Sequence, residues 1–372
     1  MDFDFSDDQE QLRDAVRKWV DKGYSFERYR AIAKAGGFSR PAYTEMAELG
    51  LCGLYVDEQH DGMGMGPVEG MVVMEELGRG LVLEPLKQSL IAGAVLGGCA
   101  GDALKSLWLP RIASGEALVV LAYQERAARY RLDVCDTVAR PPSADGWSLN
   151  GSKSLVPAGD QADAFVVPAS VNGKIALFLV QRSAPGVSTR GYGTQDGSRA
   201  AELKLQDAAA SLITLDGLAA LEYAVDIGIA ASCAEAVGLM DKTLTITVEY
   251  MNMRKQFGVL ISSFQALRHR VADMKMQLEL GRSMSYYAAL KLNTPSAERR
   301  AAMARAKYQL GNSMRYVGQQ AVQLHGGIGV TDEYIVSHYF KKLTQLEMTF
   351  GDTLHQLGEV ASRMQDTAGV FA

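Results

Sequence analysis

The residues best suited to bind an anion lie in one short stretch, Arg254-Lys255-Gln256-Phe257-Gly258, followed by Phe264-Gln265. The stretch interrupts a long helical pattern, and a glycine just past a helix end is a stop signal. An exposed arginine beside a helix terminus can hold a diphosphate through two hydrogen bonds, and glutamine can bond a phosphate or a base edge. The stretch is therefore either an ordinary helix–turn–helix corner or an anion clamp.

The composition is that of an ordinary globular protein. The chain has 372 residues, 48% hydrophobic and 22% charged. Because single hydrophobic cores stop growing at roughly 250–300 residues, this length predicts two or three structural units. A formal net charge of -5 gives no reason to expect nucleic acid or an anionic membrane surface as a partner.

Cysteine usage and the N-terminal residues bear on the compartment. The four cysteines are scattered, without a Cys-x-x-Cys or Cys/His cluster, so we expect no disulfide framework and no metal site. The first residues, MDFDFSDDQEQ, lack the basic and apolar regions of a signal peptide. No uninterrupted apolar run reaches the ~18 residues that cross a bilayer. We predict a cytoplasmic protein that does not bind membranes.

The first third of the chain has a helical pattern. Residues 1–112 are predicted to be helical, starting with a cap at Ser6, and a glycine-rich loop interrupts them at 50–70. The Gly-Met-Gly-Met-Gly sequence in this loop is predicted not to cradle phosphate, because no strand pattern precedes it and no Gly-Lys-Ser/Thr follows it.

The middle of the chain has a strand pattern. Short apolar runs alternate with turn residues over about 100 residues, which predicts a small antiparallel β unit, either a barrel or a sandwich. Asn172-Gly173 is a hairpin signal between two of the runs. No β–α–β alternation occurs, so a Rossmann domain is not supported. The predicted strands include 117–122, 147–151, 164–167, 175–180, 201–205 and 212–215.

The last third returns to helix. An apolar stripe from Cys233 to Met251 marks the first long helix, and further helices are predicted at 264–292, 297–324 and 336–364. Four helices of this length with short connections argue for a four-helix bundle.

This order, with the Arg-x-x-Phe-Gly stretch after the first bundle helix and Gln323–Gly329 (QLHGGIG) before the last, resembles the acyl-CoA dehydrogenase family over essentially the whole chain. The resemblance implies an α+β, mainly α fold with three parts. These are an N-terminal helical domain (1–113), a middle antiparallel β-barrel (114–217) and a C-terminal four-helix bundle (218–372). It also implies FAD, held between barrel and bundle and reaching into a neighbouring subunit.

The same resemblance assigns residues to the FAD. Those implied to contact its diphosphate and adenine half are Arg254, Gln256, Phe257 and Gln265. Gln323, Gly326 and Gly327 would form a second clamp, since adjacent glycines let backbone approach a ligand closely. The other interpretation of Gly326-Gly327 is a glycine-rich helix end. Asn150–Lys153 and Pro185–Val187 resemble turns of the family's barrel.

The segments expected near the flavin ring depart from the family. Members usually carry Thr-Glu-Pro…Gly-Ser-Asp after the first barrel strand, whereas this chain has Tyr123-Gln124-Glu125-Arg126-Ala127-Ala128-Arg129. Only Glu125 stays in register, and Gln124 could donate to a flavin carbonyl or N5. Tyr123 and Gln124 are therefore candidate cofactor contacts. Leu155-Val156-Pro157 replaces the usual Trp-Ile-Ser/Thr, so the flavin pocket is altered.

The usual catalytic base is missing. The family's reaction needs a carboxylate to remove the α-proton of the acyl group while the flavin takes a hydride from the β-carbon. Most members use the Glu of Tyr-Glu-Gly-Thr, where this chain has Phe350-Gly351-Asp352-Thr353, so the Glu position falls on Gly351, or on Phe350 if no residue is inserted. The other position used in the family, on the first bundle helix, is Gly228 here.

Two explanations for the missing base stay open. Asp352 could serve as base, with His355 one turn later holding it in place, although a helix N-cap or a structural ion pair is the other role for this residue. Glu347 and Asp226 are weaker candidates, expected on the solvated surface. Alternatively, the chain is one half of a heteromer. It looks like the small subunit of bacterial pimeloyl-CoA-type dehydrogenases, and the partner would keep the Glu.

The resemblance thus predicts an FAD-dependent oxidoreductase that dehydrogenates an acyl-CoA thioester, with a dicarboxylyl-CoA as one option. Electrons would pass to an electron-transfer flavoprotein, and the chain would form a homo- or hetero-oligomer. Two other predictions are kept. One is a flavin monooxygenase or oxidase on the same fold, and the other is a partner subunit without turnover of its own.

Overall fold

The computed structural model describes residues 5–143 and 146–367. Its backbone divides into two compact units, which do not coincide with the predicted domains 1–113, 114–217 and 218–372. Residues 1–4, 144–145 and 368–372 of those domains lie outside the described residues, and the three-domain division stays a prediction. The first unit comprises Met1–Tyr29, Met71–Val82 and Ile229–Ala372, and the second Arg30–Gly70 and Leu83–Gly228.

The prediction of a mainly helical chain is confirmed. At the first helix, the Ser6 side chain accepts from the backbone of Gln9 and the Gln9 side chain accepts from the backbone of Ser6, a reciprocal capping box. The α-helices are α1 (Asp7–Gly23), α2 (Phe26–Lys34), α3 (Arg40–Glu48), α4 (Pro67–Arg79), α5 (Leu86–Cys99), α6 (Asp102–Ala113), α7 (Gly217–Met253), α8 (Gln265–Lys291), α9 (Ser296–His325), α10 (Ile335–Met348) and α11 (Thr353–Thr367).

In the second unit a sheet closes on itself. The pairings run from β4 through β2, β3, β7 and β5 back to β4, while β1 joins β4 and β6 joins β7. The strands are β1 (Val119–Leu121), β2 (Val138–Ser143), β3 (Gly146–Pro157), β4 (Ala164–Val171), β5 (Lys174–Gln181), β6 (Val187–Gly193) and β7 (Arg199–Thr214). Many apolar side chains of β4 and β5 are buried, and those of Phe165 and Phe178 are fully so.

The prediction that this β unit is antiparallel is wrong for two ladders. Strand β4 pairs in parallel with β1 and with β2, whereas the other ladders of the sheet are antiparallel. Parallel neighbours need a long crossover, and more than 40 residues separate Leu121 from Ala164. The hairpin predicted at Asn172-Gly173 joins β4 to β5.

In the first unit the predicted apolar stripe of α7 is mostly buried, although Val248 within it is 37% exposed. Helix α9 packs along α8, α10 and α11. The prediction of a single helix at 336–364 is wrong, because this segment forms two helices, α10 and α11. Phe350 and Gly351 adopt φ values of 58° and 104°, which a right-handed helix cannot contain.

The chain contains a longer apolar helical segment than the sequence pattern suggested. Within α7, an 18-residue window has a mean hydropathy of 1.4, long and apolar enough to cross a membrane by those criteria alone. In the fold 94% of this window is buried inside the protein. A buried core helix passes the same test, so the window is weak evidence for a membrane span.

Candidate functional site

The stretch Arg254–Gly258 is a tight hairpin. Helix α7 ends at Met253, and two short strands follow, β8 (Lys255–Gln256) and β9 (Val259–Leu260), which pair antiparallel. Phe257 and Gly258 form the turn between them with φ values of 54° and 80°, the signature of a hairpin turn with two left-handed residues. Gly258 therefore shapes a hairpin rather than stopping the helix, which corrects the sequence interpretation.

The side chains of this hairpin point to solvent. Arg254, Gln256 and Gln265 are exposed, and their side chains have no hydrogen-bond or ion-pair partner among the described residues. Phe257 is 90% exposed, and its ring meets that of Phe264 edge-on at 6.3 Å between centroids. An unpaired cation flanked by carboxamides is what an external anion needs.

The glycine segment after α9 is open on its outer side. Gly326 has a φ of 64° and a ψ of -141°, and its N–H donates to the carbonyls of Val322 and Gln323, so it ends the helix. A Cβ added at Gly326 or Gly327 would meet no atom within 4 Å. The helix-end geometry and a surface that a ligand can approach are thus both present. Gly329 differs, since its Cβ would lie 2.8 Å from the Val322 carbonyl oxygen.

In the second unit, Tyr123 and Gln124 follow β1. Both are half-buried, and the Gln124 carbonyl accepts a hydrogen bond from the N–H of Ser154 at 2.9 Å. This bond places the segment beside Leu155-Val156-Pro157 at the end of β3. Leu155 has a φ of 53° and is 53% exposed. The two segments implied to lie near the flavin ring are therefore neighbours.

Glu125 is buried in an ion pair. The Lys153 ammonium lies 2.5 Å from Glu125 Oε1, and the Thr137 hydroxyl donates to the same oxygen at 2.6 Å. Backbone N–H groups of Thr137 and Asp136 add further hydrogen bonds. Burial alone raises the pKa of Glu125, but the charge of Lys153 and these bonds outweigh it and lower the pKa to about 2. Both carboxylate oxygens of Glu125 are therefore hydrogen-bonded within the protein, and the role of this residue is structural.

Asp352 caps α11. The backbone N–H of His355 donates to Asp352 Oδ1 at 2.8 Å, which is the N-cap pattern. The Asp352 side chain is half-buried. Asp352 and His355 are thus in contact, as predicted, but the contact is made by the backbone of His355. Asp352 has the helix-capping role that was its alternative interpretation. Its role as a base stays a prediction.

Glu347 and Asp226, the two weaker candidates for the catalytic base, are buried, so the expectation that they lie on the solvated surface is wrong. Glu347 is 8% exposed, accepts from the Thr353 N–H at 2.9 Å, and faces Arg315 at 3.3 Å. Glu347 Oε1 accepts these hydrogen bonds at the start of α11, where the first N–H groups of a helix lack partners within the helix. Asp226 is fully buried because residues 224–229 of α7 are enclosed on every side. Gly228, the other family base position, lies in the same buried segment.

The connection between α10 and α11 is held from α9. The Lys307 ammonium, 1% exposed, donates to the carbonyls of Glu347 at 2.7 Å and Gly351 at 3.1 Å. Gln356 Nε2 donates to the Phe350 carbonyl at 2.9 Å. Sequence reasoning missed Lys307, although it sits on the buried face of α9 between Met303 and Leu310. A lysine within an apolar stripe was the available signal.

Comparison with known proteins identifies the family of the chain. Sequence profiles of the acyl-CoA dehydrogenase N-terminal and C-terminal domains match residues 6–116 and 216–365. Acyl-CoA dehydrogenase FadE12 of Mycobacterium tuberculosis is 30% identical over 352 residues, covering 89% of this chain and 89% of its own. The chain belongs to the acyl-CoA dehydrogenase family.

Two other members of the family span almost the whole chain. Acyl-CoA dehydrogenase FadE27 of Mycobacterium tuberculosis is 26% identical over 99% of this chain and 100% of its own. The solved structure of a variant of the Tcur3481-Tcur3483 steroid ACAD is 27% identical with a TM-score of 0.90, covering 97% of this chain and 99% of the other. As a member of this family, the chain described here is an oxidoreductase that acts on CH–CH groups.

FAD is the cofactor of this acyl-CoA dehydrogenase. The first unit suits such a group, because Arg254 offers an unpaired cation and Gly326-Gly327 offers open backbone. A diphosphate is bound best by a guanidinium and by backbone free of side chains. When bound, FAD would supply the hydride acceptor, and Arg254 and Gly326-Gly327 are residues that would hold it.

Proposed function

We propose that this chain is one subunit of a two-component, FAD-dependent acyl-CoA dehydrogenase, and that the unlike partner subunit supplies the carboxylate base. The observation that carries the proposal is at Gly351, where most members have Glu. A side chain at 351 would place its Cβ 2.5 Å from His355 Cδ2 and 2.6 Å from Gln356 Nε2. The side chains of His355 and Gln356 thus occupy the space that the Cβ of a residue at 351 would need.

The bonds around this position support the same conclusion. Lys307 and Gln356 hold the backbone of 350–351 and the preceding turn by three hydrogen bonds to carbonyl oxygens. These bonds favour a segment that keeps Asp352 in its capping position. The FAD clamp meanwhile keeps Arg254, Gln256 and Gln265, all exposed. A chain that has the residues expected to bind FAD but no Glu at the usual base position is what we expect of one subunit in an active site shared by two unlike subunits.

In this proposal the base of the partner would remove the α-proton of a CoA thioester, and bound FAD would supply the acceptor for the hydride of the β-carbon. An electron-transfer flavoprotein would be the electron acceptor of the assembly. The pimeloyl-CoA-type small subunit remains our proposed subclass, with a dicarboxylyl-CoA as the substrate. The two-part name of the Tcur3481-Tcur3483 relative supports an assembly of unlike chains.

Anaerobic titration with acyl-CoA thioesters tests the proposal. The purified chain with FAD alone should keep its yellow absorbance, and bleaching should appear when a family member that retains the Glu is co-purified with it. The matched control replaces that Glu of the partner by Gln, which should abolish bleaching while leaving FAD and the complex intact. Bleaching by the chain alone would refute the proposal and favour Asp352 as its base.

A further inference from the structure

His325 carries a ring nitrogen that has no hydrogen-bond partner among the described residues. It is the last residue of α9, directly before Gly326-Gly327, and it is 3% exposed. Its ring stacks on Tyr250 with centroids 4.4 Å apart, and Tyr334 lies at 5.2 Å. Its Nδ1 lies 2.8 Å from the Ala321 carbonyl oxygen, while its Nε2 is buried with no partner among the described residues.

The contact of Nδ1 fixes what Nε2 can do. A carbonyl oxygen only accepts hydrogen bonds, so Nδ1 must carry the proton and donate to Ala321. Burial lowers the pKa of His325 below its ordinary 6.5, so the ring is neutral at pH 7. In a neutral imidazole with a protonated Nδ1, Nε2 is a bare acceptor. None of the described residues donates a hydrogen bond to it.

We propose that Nε2 of His325 accepts a hydrogen bond from a donor group of bound FAD, a sugar hydroxyl or the adenine amine. This deepens the cofactor assignment and rests on it. The neighbouring backbone at Gly326-Gly327 is open to a ligand, and buried polar groups in proteins are almost always paired. An ionised phosphate cannot be the partner, since its oxygens only accept. His325 thus recognises a donor of FAD, while Arg254 suits the diphosphate.

Two amide substitutions separate the two nitrogens of the ring. The amide of Asn reaches about as far as Nδ1 and can keep the bond to Ala321, but it has nothing at the place of Nε2. The amide of Gln reaches as far as Nε2 and restores an acceptor there. His325→Asn should weaken FAD binding about tenfold, the effect of one net hydrogen bond, and His325→Gln should stay within about threefold of the original.

Fluorescence titration of FAD into the stripped protein measures these affinities, and thermal unfolding of the FAD-free protein shows whether each variant folds as well as the original. FMN and ADP, titrated separately, locate the donor. His325→Asn should lose affinity for FMN if a ribitol hydroxyl donates, and for ADP if the ribose or adenine donates.

Equal FAD affinity of the original protein and a well-folded His325→Asn variant would overturn the inference, because Nε2 would then hold only water. Loss of affinity in His325→Gln equal to that in His325→Asn would also overturn it. The cofactor assignment fails separately, and the inference with it, if the original protein binds no FAD at all.

Discussion

The aromatic ring of Tyr250 stacks on His325, and its hydroxyl reaches the His325 carbonyl oxygen at 3.4 Å. The carbonyl of Tyr250 in turn accepts the N–H of Arg254 at 2.9 Å. One residue thus joins the end of α7, where the hairpin begins, to the end of α9, where the glycine segment begins. The two segments proposed to bind FAD, about 70 residues apart in sequence, are joined through this residue.

Removing the ring of Tyr250 should therefore weaken FAD binding without touching either motif. An aromatic pair contributes about 0.5–1.5 kcal/mol beyond its buried area, so Tyr250→Leu should cost about 1 kcal/mol of unfolding free energy and several-fold in FAD affinity. Tyr250→Phe keeps the stack and serves as the matched control. Urea unfolding and FAD titration measure both effects, and an unchanged Tyr250→Leu variant would contradict the connection.

The exposed Phe257 occupies a backbone conformation that disfavours it. Left-handed backbone costs roughly 1–2 kcal/mol for most residues, but Asn adopts it readily and Asn-Gly is the preferred sequence for this turn. Phe257→Asn should therefore raise the unfolding free energy of the FAD-free chain by about 1 kcal/mol while lowering its FAD affinity. Phe257→Leu, which removes the ring and keeps the strain, should lower affinity without added stability. Full FAD affinity in both variants would mean that the ring does not contact the cofactor.

The helices were predictable because apolar periodicity is local in sequence, whereas FAD binding by Arg254, Gln256 and Gln265 stays a prediction. The break between α10 and α11 was not predictable, since the left-handed residues at 350 and 351 are fixed by Lys307, more than 40 positions away. The parallel pairing of β4 and the burial of Glu347 also depend on residues that are distant in sequence. Sequence reasoning kept Glu125 as a match to the family, but it could not foresee that Lys153 occupies its carboxylate.

The buried pair of Glu125 and Lys153 should control the stability of the second unit. Breaking a buried ion pair leaves one charge unpaired and costs about 3–5 kcal/mol, so Lys153→Met and Glu125→Gln should each be strongly destabilising. The double variant should recover most of the loss, because it leaves no isolated charge. A double-mutant cycle in urea measures this, and additive losses would show that the two residues act independently.

The same pair predicts an acid limit. The pKa of Glu125 is lowered from its ordinary 4.5 to about 2, so its stabilising effect is complete above pH 4.5 and disappears as the pH falls towards 2. The difference in unfolding free energy between the original protein and Glu125→Gln should shrink over that window and stay constant from pH 5 to 7. A difference that does not change with pH in the acid range would rule out a lowered pKa.

Asp352 can be tested as a cap and as a base in separate variants. Asn caps helices as well as Asp does but cannot take up a proton, whereas Ala does neither. We expect Asp352→Asn to keep the melting temperature and the turnover of the two-subunit assembly. Asp352→Ala should lose about 1 kcal/mol of stability. Turnover abolished in a stable Asp352→Asn variant would identify Asp352 as the base and remove the need for a partner.

Restoring the family residue at position 351 should fail. Gly351 has a φ of 104° and its Cβ space is filled, so Gly351→Glu should cost several kcal/mol and give no dehydrogenation by the chain alone. Gly358→Glu is the matched control. Gly358 is exposed within α11, where an added Cβ meets nothing, so Glu there should stabilise the helix by about 0.5–1 kcal/mol. Flavin bleaching by Gly351→Glu alone would show that the segment yields, and that a single substitution separates this subunit from a complete enzyme.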